Sequence, residues 1–214
     1  MPDTRLTRWA PLSGIVFLVL VYAGNALQGS TPPLHGDAEA VAEFYGDKGT
    51  QIALGMSLSL VSLFFLAWFL GSLRTALRAA EGADGMLGSI AMGGGFAALA
   101  LMAAGFALNA AGALRGQEGG SVPGDVAVAF YDGGLALSGL AAPIALAVLL
   151  AATAAVALRS AALPRWLGWV SVVLAVLGLV TPLSFMLFLV FPLWVLAVGV
   201  VLHRGSAPAT AARD

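Results

Sequence analysis

Cysteine is absent from the 214 residues, which excludes a disulfide framework, a thiolate metal site and an iron-sulfur cluster. Charge is nearly as scarce: Asp, Glu, Lys and Arg make up 10% of the chain, against about 25% in an ordinary soluble domain. A formal net charge of -1 leaves no basic surplus of the kind that binds nucleic acid. Histidine occurs twice, at His35 and His203, which fall at opposite ends of the bundle derived below. They cannot share a metal or flank one haem in a monomer, and no HExxH is present, so neither metal nor cofactor is expected. His35 with Asp37, Glu39 and Glu43 has the elements of a weak metal site, but dense loop charge is usually only solvated. Ser30 and Thr31 beside His35 and Asp37 lack the rigid scaffold that nucleophilic catalysis needs.

What the chain does have is apolar mass. Residues of the AVILMFWYC set make up 60%, and mean hydropathy is +0.95. Asp, Lys or Arg at a helix centre costs roughly 2.5 to 3.5 kcal/mol on insertion, so stretches without ions mark candidate spans. Residues 9–36, 49–73, 85–114, 133–158 and 166–203 contain no Asp, Glu, Lys or Arg. A span needs about 20 helical residues. The last stretch would make a helix of about 57 Å, and Thr181-Pro182 divides it. Six helices follow, near residues 9–27, 52–73, 87–114, 135–158, 166–180 and 183–202, the fifth of them short. Unbroken apolar runs at 15–22 and 58–70 lack the alternation of a membrane β-barrel. The predicted fold is all-α: one polytopic transmembrane domain over residues 1–204, followed by a disordered cytoplasmic tail.

Orientation follows from the basic residues. Arg5, Arg8, Arg74, Arg78, Arg159, Arg165, Arg204 and Arg213 fall on one side of the spans, and Lys48 and Arg115 on the other. The positive-inside rule then places both termini in the cytoplasm, with a cell membrane as the expected location. Most of the carboxylates, among them Asp37, Glu39, Glu43, Asp47, Asp125 and Asp132, lie on the outer side. Ala23-Gly24-Asn25-Ala26 resembles a signal-peptide cleavage site, but residues 11–27 are long enough to span and Trp9 would anchor them, so a retained helix is favoured.

Two outer lead-ins resemble each other. Ala42-Glu43-Phe44-Tyr45-Gly46-Asp47 precedes the second helix and Val128-Ala129-Phe130-Tyr131-Asp132 the fourth, an offset of 86 between the tyrosines, and Asp37 and Asp125 are candidate caps. This suggests a weak parallel repeat of helix pairs. The first lead-in has Val41, Phe44 and Tyr45 at helical spacing, as in a short helix lying at the interface.

Helices in lipid associate through close packing of small residues. Gly139, Pro143, Ala147, Ala151 and Ala155 recur every fourth residue in the fourth helix, and the third offers Ala91 with Gly95, Gly94 with Ala98, and Ala103 with Ala107. These two helices are therefore expected at the centre. The bulkier second and sixth, with Phe64, Phe65, Trp68, Phe69, Phe185, Phe188, Phe191 and Trp194, are expected to face lipid over much of their surface. Gly93-Gly94-Gly95 follows no strand and precedes no Lys-Ser/Thr, so it reads as packing rather than a phosphate cradle. Pro143 and Pro192 each free a carbonyl about one turn earlier and permit a bend.

Polar residues near the membrane supply the candidate ligand-binding set: Asn25, Tyr45, Asn109, Arg115, Tyr131 and Asp132, all at similar outer depth, with an ion pair expected between Arg115 and Asp132. Glue between helices is the simpler role for such groups, and a small outward-facing cavity is the functional one. No midplane carboxylate is present to couple transport to protons or ions.

Three stretches carry a family likeness: Val41-Ala42-Glu43-Phe44-Tyr45, Trp68-Phe69-Leu70-Gly71-Ser72-Leu73-Arg74 and Leu163-Pro164-Arg165-Trp166-Leu167-Gly168-Trp169. Through them the chain resembles a family of bacterial six-helix integral membrane proteins. The resemblance implies six spans and brings no activity and no functional residue with it. The leading expectation is a non-enzymatic membrane protein that holds a lipid or hydrophobic small molecule in an outward cavity, as an accessory or sensory component. The alternatives are a small facilitator or exporter, and a lipid-modifying enzyme using Asp132 or Glu43. Membrane lipids are the expected partners, nucleic acid is not, and a homo-oligomer is compatible with the sequence.

Overall fold

The structure, a computed structural model, describes residues 10–32, 37–82, 85–117, 122–160, 163–180 and 183–205. The positions of Arg5, Arg8, Trp9, His35, Thr181, Pro182 and the predicted tail beyond residue 205 lie outside the described residues. Among those described there are six helices and no strand. A short 3-10 turn, Ala10–Leu12, leads into α1, Ser13–Gln28; then come α2, Ala38–Glu81, α3, Met86–Gln117, α4, Gly124–Arg159, α5, Arg165–Leu179, and α6, Ser184–Gly205. All but α5 are long and apolar enough to cross a membrane. The 15 residues of α5 reach about 22 Å, short of the ~30 Å hydrocarbon layer. The chain is a multi-pass membrane helix bundle.

The first described turn, Ala10–Leu12, lies beside the last turns of α6: a Cβ on Gly199 would stand 2.5 Å from the Pro11 carbonyl oxygen. The N- and C-terminal helices therefore meet at one end, which also carries Arg74, Arg78, Arg159, Arg165 and Arg204 and is called here the arginine end. The opposite, acidic end carries Glu39, Glu43, Asp47, Asp125 and Asp132.

At the acidic end the structure corrects the expected interfacial helix. Residues 38–51 are not a separate element but the first turns of α2, a continuous helix of 44 residues, about 66 Å long. Gly46 and Gly49 would each cost about 1 kcal/mol against alanine in an isolated helix. Tertiary contact carries the helix through them, because Gly49 lies against α3, where an added Cβ would come 2.9 Å from the Ala113 carbonyl oxygen. In the same way α4 begins at Gly124, well before the span near 135–158. The caps also differ. Asp37 stands at the N-cap of α2 without a side-chain capping bond, and Pro123, not Asp125, holds that position in α4. The two lead-ins are alike in projecting from the acidic end, whereas the helices that complete each pair, α3 with 32 residues and α5 with 15, are not.

Small residues set the helix order. In α3, Gly94 faces α4, where a Cβ would come 2.7 Å from the Ala145 carbonyl oxygen and 2.8 Å from the Leu149 nitrogen. Gly95 faces Leu70 of α2, and Gly93 meets nothing. Thus α3 is held between α2 and α4. The α4 stripe is used only in part: Gly139, Pro143 and Ala147 are buried, with Gly178 of α5 against Pro143 and Ala147, while Ala151 is exposed. Gly24 of α1 and Gly55 of α2 bring two further backbones together, each backbone carbonyl occupying the space of the other's missing Cβ. The stretch that resembles a cleavage site is thus packed as a bundle helix.

The expectation for the aromatic helices holds for one face of each only. Phe64, Trp68 and Phe185 are exposed, as expected. Phe69, Phe191 and Trp194 are buried, stacked or edge-on to one another and to Phe17 of α1. They join α1, α2 and α6 in an aromatic core. The sequence missed this because a membrane helix is apolar on every side and its periodicity does not separate lipid-facing from buried positions.

Candidate functional site

Of the six polar residues selected from sequence, the structure joins Tyr45 and Asn109 directly. The fully buried Tyr45 hydroxyl donates to Asn109 Oδ1 at 3.0 Å, and Asn109 Nδ2 donates to the Gly105 carbonyl at 3.2 Å. Glycines make room for both groups. The Tyr45 ring sits against Gly112, where a Cβ would come within 2.7 Å of it, and the Asn109 amide takes the place of a Cβ at Gly134. Tyr131 lies one ring away, edge-on to Phe44 at 6.2 Å, and donates its hydroxyl to the Pro32 carbonyl at 2.7 Å. Asp132 is half-buried within electrostatic reach of both tyrosines.

The other two stand apart. Asn25 turns back on its own helix and donates to the Val21 carbonyl at 2.7 Å. Arg115 is exposed with its guanidinium over the Phe130 ring at 5.9 Å. The expected ion pair between Arg115 and Asp132 does not form among the described residues. Phe130 instead takes the cation, an interaction of about 0.5 to 1 kcal/mol at an exposed site. Lys48, the other cation of the acidic end, donates to the carbonyl and hydroxyl oxygens of Ser30 at 3.3 and 3.2 Å. With Tyr131 on Pro32, it ties the loop after α1 to α2 and α4. This end is a clasp of partnered groups, and no buried side-chain nitrogen or oxygen among the described residues lacks a hydrogen bond.

A recess of about 770 Å³ lies instead toward the arginine end. Its floor is a face of α2 made of Ala67, Gly71, Ser72, Thr75, Ala76 and Ala79; Ala10, Pro11 and Leu202 border it on one side and Phe96 of α3 on another, with Trp68 at one end. The two floor hydroxyls return to their own helix, Ser72 to the Trp68 carbonyl at 3.3 Å and Thr75 to the Gly71 carbonyl at 3.1 Å. They are satisfied, which leaves an apolar groove. Gly71 has nothing within 4 Å of a Cβ position, so it holds the groove open. Sequence reasoning missed these residues, although the signal was present: small side chains at 67, 71 and 75 repeat every fourth residue, as in the stripe read from the fourth helix.

Small side chains on α2, the turn before α1 and the end of α6 thus define an open apolar groove on a multi-pass bundle. Compared with protein-family models, curated proteins and solved structures, the chain matches none.

Proposed function

We propose that this chain is a non-enzymatic bacterial membrane protein that holds a lipid or hydrophobic small molecule, and that it holds it in the α2 groove rather than among the polar residues of the acidic end. The carrying observation is the groove itself, with about 770 Å³ of space over a floor without large side chains. Ligand sites are typically concave and largely apolar, of about 300 to 1,000 Å³. The hydrogen bond between Tyr45 and Asn109 supports the same reading, since it engages these two acidic-end groups within the bundle. Membership of the bacterial six-helix family that the sequence resembles belongs to this proposal.

The test is Gly71→Phe, whose Cβ would meet nothing within 4 Å and whose ring would add bulk to the groove floor. Wild-type protein purified in mild detergent should retain a lipid or small molecule detected by native mass spectrometry, and the folded variant should lose it. Equal retention by both proteins overturns the assignment.

A further inference from the structure

We infer that the occupant of the groove is a phospholipid with an anionic headgroup, drawn from the leaflet at the arginine end. This rests on the groove reading above and adds the chemical class of the ligand. The floor runs along α2 from Ala67 to Ala79, about 18 Å of helix, which suits an extended acyl chain better than a compact molecule. Its far end is electropositive by register. Arg78 directly precedes Ala79, and Arg204 follows Leu202 by two positions; both are exposed, and neither forms an ion pair among the described residues. The carboxylate nearest in sequence to Arg78, Glu81, pairs with neither arginine among the described residues; its two oxygens accept the Leu87 and Gly88 N–H groups at 2.9 and 2.7 Å. An apolar channel with two exposed arginines in register with its far end, neither in an ion pair among the described residues, matches one acyl chain and one phosphate. Arginine suits phosphate because its planar fork can donate two parallel hydrogen bonds.

Native mass spectrometry of the whole protein with phosphatidylglycerol and phosphatidylcholine of identical acyl chains tests this. Two basic residues near a membrane surface should give a preference of about thirtyfold for phosphatidylglycerol. The Arg78→Gln/Arg204→Gln variant should bind both lipids at the phosphatidylcholine level, and Arg78→Lys/Arg204→Lys, which keeps the charge, should restore most of the preference. Equal binding of the two lipids by wild type, or a preference that survives the glutamine pair, overturns the inference. The groove reading still stands in either case if Gly71→Phe weakens both lipids. If Gly71→Phe leaves both unchanged, the groove reading fails and this inference with it.

Discussion

The Ser184 hydroxyl, at the first residue of α6, donates to the Gly139 carbonyl of α4 at 3.0 Å. Gly139 lies four residues before Pro143, whose ring nitrogen has no hydrogen to offer in the helical ladder. The backbone responds locally: Ala136–Ala141 is a π-helical segment set immediately before the proline turn. A second clasp lies one residue out of that register, beside the Phe188 carbonyl that Pro192 leaves without its helical donor. Tyr22 of α1 donates to the Leu189 carbonyl of α6 at 2.5 Å, in the turn that Pro192 interrupts. In each case a hydroxyl from a neighbouring helix bonds the backbone within the turn before a proline, and at Gly139 it serves the carbonyl that the proline leaves without a donor. Neighbouring helices are therefore tied together close to each proline.

The contribution of Ser184 therefore depends on Pro143. Ser184→Ala should lower stability in detergent by about 0.6 kcal/mol, the mean for hydrogen bonds between membrane helices, and by no more than ~1.7 kcal/mol. In a Pro143→Ala background the restored N–H can serve Gly139, and the same substitution should cost less. A double-mutant cycle followed by thermal unfolding measures the difference. An identical cost in both backgrounds would show that the serine acts independently of the proline.

Three consecutive glycines should respond in three ways. Gly93→Ala meets open space and should be neutral or stabilising by up to about 1 kcal/mol, since alanine favours the helix. Gly95→Ala approaches the flexible end of Leu70, which can rotate away, so a small loss is expected. Gly94→Ala drives a methyl into the backbone of α4 and should cost about 1 to 3 kcal/mol as an overpacked contact. Melting temperatures of the three variants should rank in that order. Equal values would show that α3 does not sit between α2 and α4 as described.

Much of this architecture was legible in the sequence, for one physical reason: hydrocarbon rejects ions, so gaps between charges locate helices. The starts of α2 and α4 were not legible. Asp47, Lys48 and Asp132 break the apolar pattern without breaking the helix, because α3 packs against those turns outside the apolar windows. Tyr45 and Asn109 were chosen as polar residues at one depth, and depth did bring them together. Asn25 and Arg115 satisfied the same criterion and point elsewhere, since depth carries no information on rotation about a helix axis. The groove escaped for a related reason: Gly71 marks an opening and Gly95 a contact, and in sequence both are glycine.

Glu81 joins α2 to the start of α3. Its carboxylate accepts two of the backbone N–H groups that a helix N-terminus leaves without partners, and its negative charge opposes the positive end of the helix dipole. Glu81→Ala should cost about 0.5 to 2 kcal/mol, as for loss of a helix cap. Glu81→Gln, which keeps an acceptor oxygen but loses the charge, should fall between alanine and wild type. Hydrogen exchange localises the effect: the Leu87 and Gly88 amides should exchange faster in Glu81→Ala, with protection near Asn109 unchanged. Uniform acceleration along α3 would mean that the carboxylate acts on the whole helix and not on its first turn.

Sidedness can be tested with unusual economy because the chain has no cysteine, so any introduced thiol is the sole target for maleimide. Asp47 is exposed on the projecting part of α2 and Arg74 is exposed toward its other end. They are separated by 27 residues of one continuous helix, about 40 Å along its axis. That is more than the ~30 Å hydrocarbon layer, so the two sites should lie on opposite sides. The positive-inside rule then orients the pair, with the arginine end in the cytoplasm. A membrane-impermeant maleimide added to intact cells should label Asp47→Cys, and should label Arg74→Cys only after lysis. Losing one arginine leaves the remaining imbalance strong, so the substitution itself should not invert the protein. The reverse pattern would put the arginine end outside the cell and move the proposed groove to the other leaflet. Labelling of both sites in intact cells would mean that α2 does not cross the membrane at all.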